Sequence, residues 1–219
     1  GERYGALFGT SFKRDANGHI IHENSAGYPQ PVIDNNRKIL GFGVAPEQIG
    51  LGASFRYKDW NASLLVEGKV GGQIMSGSNA EMLGRGLHKM TVPAGGRHAG
   101  WTPEGVMEDG SAVSQSLTVA QQQNYWNRYN DAAEAGIYDA DYMRLRNLSI
   151  GYNLPSSLLE GTSIQAASIS LIGKNLFFLS NSVDNIDPES AYNSNNSQGL
   201  EYWGMPVPRT VGVNVNLKF

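Results

Sequence analysis

The stretch that most limits how this chain folds is its final eleven residues, 209–219. Apolar side chains stand at every second position, and small or polar side chains fill the positions between them. The apolar set is Val211, Val213, Val215, Leu217 and Phe219. A period of two over this length predicts a β-strand with one apolar and one polar face.

The length and the ending of this strand favour a membrane wall. Eleven residues at about 3.4 Å each, tilted by roughly 45°, rise on the order of 25 Å, the height of the apolar band of an outer-membrane barrel. The strand ends on the aromatic Phe219, and bacterial outer-membrane barrels usually finish in this way.

Composition excludes several classes of protein. The chain has 219 residues, a net charge of −3 and a pI near 5.8, so nothing in it points to nucleic acid as a partner. It has no cysteine, which excludes disulfides and thiolate metal sites. The 27 glycines and 10% aromatic residues favour an all-β chain. The first residues lack the charged and apolar regions of a signal peptide, and a secreted or outer-membrane protein carries one when made, so either the chain is mature or its beginning is missing.

Two adjacent segments predict each other's register. If Lys58 and Asp59 form a two-residue hairpin loop, four apolar pairs face each other on one side of the two strands. These pairs are Tyr57 with Trp60, Phe55 with Ala62, Ala53 with Leu64, and Leu51 with Val66. Tyr57 and Trp60 would stand at the turn, where an interfacial aromatic girdle is expected.

Alternation along the whole chain predicts six strands. They cover about residues 3–12, 49–57, 60–74, 142–154, 164–179 and 209–219. Residues 24–48 are rich in Gly, Pro and Asn and predict a loop, and residues 118–135 have the composition of a short helix.

The connections between these strands alternate in length. Short ones at 58–59 and 156–162 alternate with long ones at about 13–48, 75–140 and 181–208. Outer-membrane barrels have short periplasmic turns and long extracellular loops. The pattern therefore predicts an antiparallel transmembrane β-barrel with its C-terminus in the periplasm. Because six strands are too few to close such a barrel, we expect the chain to be the C-terminal part of a larger one.

The motifs of the chain resemble the C-terminal end of SusC/RagA-type TonB-dependent transporters, outer-membrane importers of Bacteroidota. The most specific match is the segment 138–155, which contains Asp-Ala, Arg-Leu, Gly-Tyr and Leu-Pro in the order and spacing of that family. Further matches are Gly-Lys-Asn-Leu-Phe at 173–177, Asp-Pro-Glu at 187–189 and Pro-Val-Pro-Arg-Thr at 206–210. The resemblance spans essentially all 219 residues and is densest after residue 137.

This resemblance implies a fold, a function and partners. It implies a 22-stranded barrel with an N-terminal plug and a TonB-contacting segment, neither of which is in these residues. It also implies active uptake of oligosaccharides or peptides delivered by a SusD-like surface lipoprotein, with the barrel wall in contact with membrane lipid and lipopolysaccharide. The family signature names no catalytic, cofactor or metal residue here, so no enzymatic activity is expected.

Aromatic residues in the long loops are the candidate contacts for substrate or partner. Exposed aromatics stack on sugar rings or anchor protein interfaces, whereas the alternative is that they pack the loops on themselves. The candidates are Trp101, Tyr125, Trp126, Tyr192, Tyr202 and Trp203.

Two observations on charged and polar residues complete the sequence interpretation. His19 and His22 fall on opposite faces of a predicted hairpin arm, which argues against a metal site. Arg144 and Arg146 share the phase of the apolar Leu148 and Ile150, so they must lie beyond the hydrocarbon or follow a β-bulge.

Two alternatives to an active importer stay open from the sequence. The first is a passive porin-like barrel without a plug. The second is a secreted β-sandwich that binds carbohydrate, in which the apolar strand faces would be buried between two sheets.

Overall fold

A computed structural model of the chain describes residues 1–191 and 198–219, which form thirteen β-strands, two α-helices and three short 3-10 helices. In chain order the strands are β1 (Ala6–Phe12), β2 (Ile21–Ser25), β3 (Tyr28–Pro31), β4 (Ile33–Phe42), β5 (Glu47–Tyr57), β6 (Trp60–Val70), β7 (Gln73–Ser76), β8 (Val106–Met107), β9 (Ile137–Asp139), β10 (Tyr142–Asn153), β11 (Ala166–Asn181), β12 (Leu200–Glu201) and β13 (Thr210–Lys218). The helices are α1 (Gly77–Gly84) and α2 (Val119–Asn130). In the described part of the chain neither helix is long and apolar enough to cross a membrane.

The chain divides into two compact units. The sheet unit consists of Ala45–Gly71, Ala140–Glu189 and Met205–Phe219, and the loop unit consists of Gly1–Val44, Gly72–Asp139 and Ser190–Gly204.

The sheet unit is built on one antiparallel five-stranded sheet with the order β13-β11-β10-β6-β5. Its two short connections, β5 to β6 and β10 to β11, lie at the same end of the sheet. The connections from β6 to β10 and from β11 to β13 are long and leave from the opposite end.

The predicted hairpin register is confirmed in the sheet unit. Tyr57 pairs with Trp60, and the three further pairs down to Leu51 with Val66 follow as predicted. Lys58, in the turn, has a φ of +53°, a left-handed conformation that is uncommon outside glycine. The apolar pairing therefore sets this register even though the turn residue is unfavourable.

Apolar side chains continue this pattern across all five strands. One row runs from Phe55 through Ala62, Ile150 and Leu171 to Val213. The side chains of Phe55, Leu171 and Val213 are 64%, 54% and 66% exposed. The face that a soluble sheet would bury is thus open, and a β-sandwich core is not what these residues form.

The opposite face of the sheet is polar. The row next to the apolar one joins Arg56, Asn61, Gly151, Ser170 and Asn214. Because side chains alternate between faces along every strand, the two faces remain separated over the whole sheet.

The first predicted strand and the first predicted loop differ from the structure. The strand expected at 3–12 is β1, but it pairs with β4 in the loop unit and is not part of the five-stranded sheet. The residues 24–48, expected as loop, contain β3, β4 and the start of β5. The strand expected at 60–74 is interrupted at Gly71, whose φ is +82°, so β6 ends at Val70 and β7 is a separate short strand.

The loop unit contains three small sheets and both α-helices. Helix α2 confirms the helical composition of 118–135. It begins after Thr118, whose side chain accepts from the Gln121 backbone while the Gln121 side chain accepts from the Thr118 backbone. The main core cluster of this unit consists of Tyr28, Leu83, Leu117, Tyr125 and Trp126.

Candidate functional site

A network of shielded charges lies on the polar face of the five-stranded sheet. At its centre Arg144 donates from Nη2 to Asp187 Oδ2 and from Nη1 to Glu189 Oε2, each at 2.6 Å. The Arg144 guanidinium carbon lies 4.0 Å from the centroid of the Phe178 ring. The side chains of Arg144 and Asp187 are only 3% and 4% exposed, so the charge of Asp187 is neutralised by Arg144 rather than by water.

A β-bulge at Arg146 explains how both arginines reach this face. Leu145 pairs with Val66 and Asn147 pairs with Leu65, which leaves Arg146 as an extra residue. An extra residue shifts the phase of the strand by one position. Residues before the bulge therefore exchange faces, and Arg144 lies opposite the apolar face that Leu148 and Ile150 occupy.

Arg146 joins the sheet to the same carboxylates. Its Nε donates to Glu67 Oε2 at 2.6 Å and its Nη2 donates to Glu189 Oε1 at 2.7 Å. Its Nη1 donates to Asn175 Oδ1 at 2.8 Å. Asn175 has a φ of +52°, so this contact compensates for an unfavourable backbone conformation.

The network fixes two segments of the connection between β11 and β13. The Tyr142 hydroxyl donates to Glu189 Oε1 at 2.7 Å, and the Val207 backbone N–H donates to Asp187 Oδ2 at 3.0 Å. The Asn175 amide donates to the Pro208 carbonyl at 3.2 Å. Four motifs that are far apart in sequence, at 138–155, 173–177, 187–189 and 206–210, thus meet at one place.

The electrostatics of this network are typical of charged side chains that hold segments of the chain together, and not of acid–base catalysts. Burial acts to raise the pKa of Glu189, but hydrogen bonds from Arg146 and Tyr142 outweigh burial, so its pKa lies below the ordinary value. An acid–base catalyst needs a carboxyl group with a pKa near the working pH. Glu189 is instead held ionised by its partners.

Three of the six candidate aromatics form a core in the loop unit. Tyr125 and Trp126 are 2% and 6% exposed. The ring centroid of the partly buried Trp101 lies 5.0 Å from that of Tyr125 and 5.1 Å from that of Trp126. The geometry places these three rings against each other, as in the packing alternative, and burial keeps Tyr125 and Trp126 from the surface that a ligand would reach.

Two other candidates are exposed on a turn with a rigid support. Tyr202 and Trp203 are 53% and 62% exposed, and their rings meet edge to face at 6.1 Å. Trp203 has a φ of +54°, which is a strained conformation for a bulky residue. The remaining candidate, Tyr192, lies outside the described residues.

Buried Glu201 supplies that support, and the sequence analysis did not find it. Its carboxylate accepts from Ser76 Oγ at 2.7 Å, from Ser78 Oγ at 2.6 Å and from the Gly204 N–H at 3.0 Å. Ser78 Oγ also accepts from the Trp203 N–H at 2.8 Å. Glu201 is 1% exposed, and these contacts join the turn to the first residues of α1.

The histidines make contacts within the loop unit that are unlike those of a metal site. His22 is fully buried, with Nδ1 3.2 Å from the Ile20 carbonyl and Nε2 3.1 Å from the Tyr125 hydroxyl. His19 pairs with Asp15 at 3.1 Å. In the part of the chain that the structure describes, no group of three or more His, Cys, Asp or Glu side chains is arranged to hold a metal ion.

The antiparallel sheet has an open apolar face, a polar opposite face and long connections at one end. These features are typical of a wall segment of a membrane β-barrel. No family model matches the chain. TonB-dependent receptor P3 of Formosa agariphila is 29% identical to it over 241 residues, a match that covers all of this chain and 22% of the receptor.

Solved structures show the same fold at lower sequence identity. The RagAB peptide importer matches in its closed-closed state with a TM-score of 0.59 and 15% identity, and in its open-open state with 0.63 and 17%. Each match covers 98% of this chain and 23% or 22% of the importer chain. The chain therefore spans less than a quarter of the length of these relatives. Together the comparisons confirm the resemblance to SusC/RagA-type TonB-dependent receptors that the motifs indicate.

Proposed function

We propose that this chain is the C-terminal part of the barrel of an outer-membrane, TonB-dependent importer of the SusC type. The observation that carries the proposal is the set of exposed apolar rows across five antiparallel strands, with a polar row beside each on the other face. In a bilayer the apolar rows contact lipid and the polar face lines the lumen or the plug. The chain then performs no chemistry and contributes wall strands and outer loops to transport.

The lengths of the connections support an orientation in the membrane. The hairpin at Lys58 and Asp59 and the connection between β10 and β11 are the periplasmic turns, and the C-terminus is periplasmic with them. Trp60 and Tyr152, whose ring centroids are 4.8 Å apart, belong to the periplasmic aromatic girdle. The long connections are extracellular, in the leaflet where lipopolysaccharide surrounds the barrel.

The remaining parts of the proposal rest on the family resemblance. The full barrel has 22 strands, and a plug and a TonB-contacting segment precede this part of the protein. A SusD-like surface lipoprotein delivers glycans or peptides, and the description of RagAB as a peptide importer supports the peptide alternative. Tyr202 and Trp203 are our proposed contacts for substrate or lipoprotein, because they are the exposed members of the candidate set.

Two matched substitutions in the full-length receptor test the wall assignment. Val213→Lys places a charge on the apolar face, where the cost near the bilayer midplane is about 2–4 kcal/mol. Asn214→Lys places the same charge on the adjacent polar position. The measurement is the fraction of receptor that reaches the outer membrane in a folded, heat-modifiable form. We expect this fraction to fall for Val213→Lys alone, and equal assembly of the two variants would contradict a lipid-facing Val213.

Transport itself is tested by deleting the gene for the full-length receptor. We expect the deletion strain to lose TonB-dependent growth on its oligosaccharide or peptide nutrient and to regain it on complementation. Uptake that continues without TonB would instead support the passive porin-like alternative.

A further inference from the structure

A cavity of ≈ 410 Å³ lies in the sheet unit beside the first residues of β13. This volume falls within the range of small-molecule sites. Strand β13 begins at Thr210, which pairs with Lys174, so the part of β11 beyond Lys174 has no β13 residue paired with it. The lining includes five apolar residues and one arginine, namely Phe177, Phe178, Ile186, Pro206, Val207 and Arg209.

Part of this lining belongs to the apolar face of the sheet. Phe177 pairs with Leu145, and Leu145 pairs with Val66. Val66 is one of the apolar residues of the first hairpin, where it pairs with Leu51. Phe177 is 50% exposed, so the cavity is bordered by an open residue of the face that we assign to lipid.

Arg209 lies at the extracellular boundary of the apolar band. It stands two positions before Val211 and therefore continues the phase of the apolar row of β13. From Phe219 to Arg209 a strand tilted by roughly 45° rises on the order of 25 Å, which is the height of that band. Lipid headgroups and their phosphates begin at this boundary.

The charge of Arg209 is the one that the cavity leaves uncompensated. The two other charged side chains of the lining, Arg144 and Asp187, pair with each other at 2.6 Å. Arg209 is exposed and makes no hydrogen bond or ion pair with any residue that the structure describes. A guanidinium binds two phosphate oxygens through parallel N–H donors. An unpaired arginine beside apolar residues therefore indicates a ligand that carries a phosphate on an apolar body.

We propose that Arg209 and this cavity bind one phosphate group of lipopolysaccharide in the outer leaflet. An acyl chain of the same lipid then packs against Phe177 and along the row that begins at Val211, which is 65% exposed. A free phosphate ion would neutralise Arg209 but would leave these apolar side chains in contact with water. A lipid phosphate satisfies both the charge and the apolar surface.

This site rests on the proposed function, because only a membrane wall gives β13 a lipid boundary. It goes further in that it assigns a specific lipid contact to a wall that the barrel fold leaves uniformly apolar. Binding to the purified full-length receptor and its assembly and uptake in cells are therefore measured separately.

The test compares two charge variants with a matched control. Arg209→Gln removes the charge, and Arg209→Lys keeps it. The control is Arg56→Gln, because Arg56 is an exposed arginine on the polar face of the same sheet. The probes are lipid A that carries a phosphate, the same lipid A after removal of its phosphate, and inorganic phosphate at about 10 mM as a competitor. Native mass spectrometry of the delipidated, detergent-solubilised receptor reports the affinity for each lipid.

The expected result is that phosphorylated lipid A binds about tenfold more tightly than the dephosphorylated lipid. This preference should disappear in Arg209→Gln, stay within about threefold of the wild type in Arg209→Lys and be unchanged in Arg56→Gln. Equal binding of the two lipids by the wild type would overturn the proposal, as would a preference that survives Arg209→Gln or is lost equally in Arg56→Gln. Displacement of the lipid by inorganic phosphate would assign Arg209 to a free anion and overturn it as well.

Assembly and TonB-dependent uptake separate a failure of this site from a failure of the importer assignment. Normal heat-modifiable assembly and uptake together with any of the overturning results would reject the lipid site alone. A wild-type receptor that does not assemble in the outer membrane would instead reject the wall assignment, and the lipid site with it.

Discussion

Replacing Arg144 with methionine is the sharpest test of how the connection between β11 and β13 is held. The substitution keeps an unbranched side chain beside Phe178 but removes both 2.6 Å ion pairs. Asp187 then stays buried with backbone donors such as the Val207 N–H. Breaking a buried pair on one side costs about 3–5 kcal/mol, whereas replacing both partners by apolar groups is often nearly neutral. We therefore expect Arg144→Met to be severe and Arg144→Met/Asp187→Leu to be mild.

Hydrogen exchange of the Ser182 amide in the full-length receptor measures this effect in both variants. This amide donates to the Asp141 carbonyl at 3.0 Å, whereas the Val207 amide donates to Asp187 itself and loses its acceptor in the double variant. A local loss of about 3 kcal/mol lowers exchange protection by about 150-fold, unless the unprotected rate is reached first.

The control is Arg128→Met in the loop unit. Arg128 and Asp131 are 3.5 Å apart with side chains 40% and 62% exposed, so their pair contributes at most about 1 kcal/mol. Protection within threefold of the wild type in Arg144→Met, or equal loss in the single and double variants, would refute our account of the network.

Two further predictions concern the bulge and the buried histidine. Deleting Arg146 removes the extra residue and leaves Leu145 and Asn147 paired with Val66 and Leu65, so Arg144 should stay on the polar face and the full-length receptor should still assemble in a heat-modifiable form; loss of assembly would contradict the assignment of Arg146 as the extra residue. Burial lowers the pKa of His22 below 6.5. As the pH decreases below 6.5, the unfolded state therefore binds a proton that the folded state does not, and the free energy of unfolding decreases. Hydrogen exchange of the Tyr125 amide should therefore accelerate between pH 7 and pH 5 beyond its intrinsic pH dependence, and His22→Gln should remove this excess; an unchanged excess in the variant would assign it to another group.

The register of the sheet was predictable because one physical rule governed it. Where one face is apolar and the other polar, a shift by one residue reverses every side chain, so the pairing of Tyr57 with Trp60 determines the pairing down to Leu51. Strand β4 obeys no such rule. Its central residues Asn35 to Lys38 are polar and exposed, and it is held by backbone pairing with β1. Its sequence therefore resembles that of a loop.

The aromatic candidates show a different limit of the sequence. Tyr125 and Trp126 lie on a helix, where burial depends on which face meets another element. Spacing within α2 groups Gln122, Tyr125, Trp126 and Tyr129 on one side, but it does not show that Trp101 and Leu83 cover that side. Tyr202 and Trp203 lie in a turn without periodicity. This turn is held by the contacts of buried Glu201 with the first residues of α1, which the sequence does not show.

The two arginines mark the point where a conflict in the sequence carried information about tertiary structure. Simple alternation would place both charges on the lipid face, where they are unfavourable. The bulge at Arg146 resolves this conflict, because the extra residue shifts the alternation of side chains by one position. Their partners Asp187 and Glu189 lie more than forty residues further on, beyond the reach of any periodicity. A charge that violates an otherwise regular strand pattern is thus a signal to look for a bulge and for a distant counter-charge. In this chain, the bulge and the distant counter-charges both lie in the motifs that carry the family resemblance.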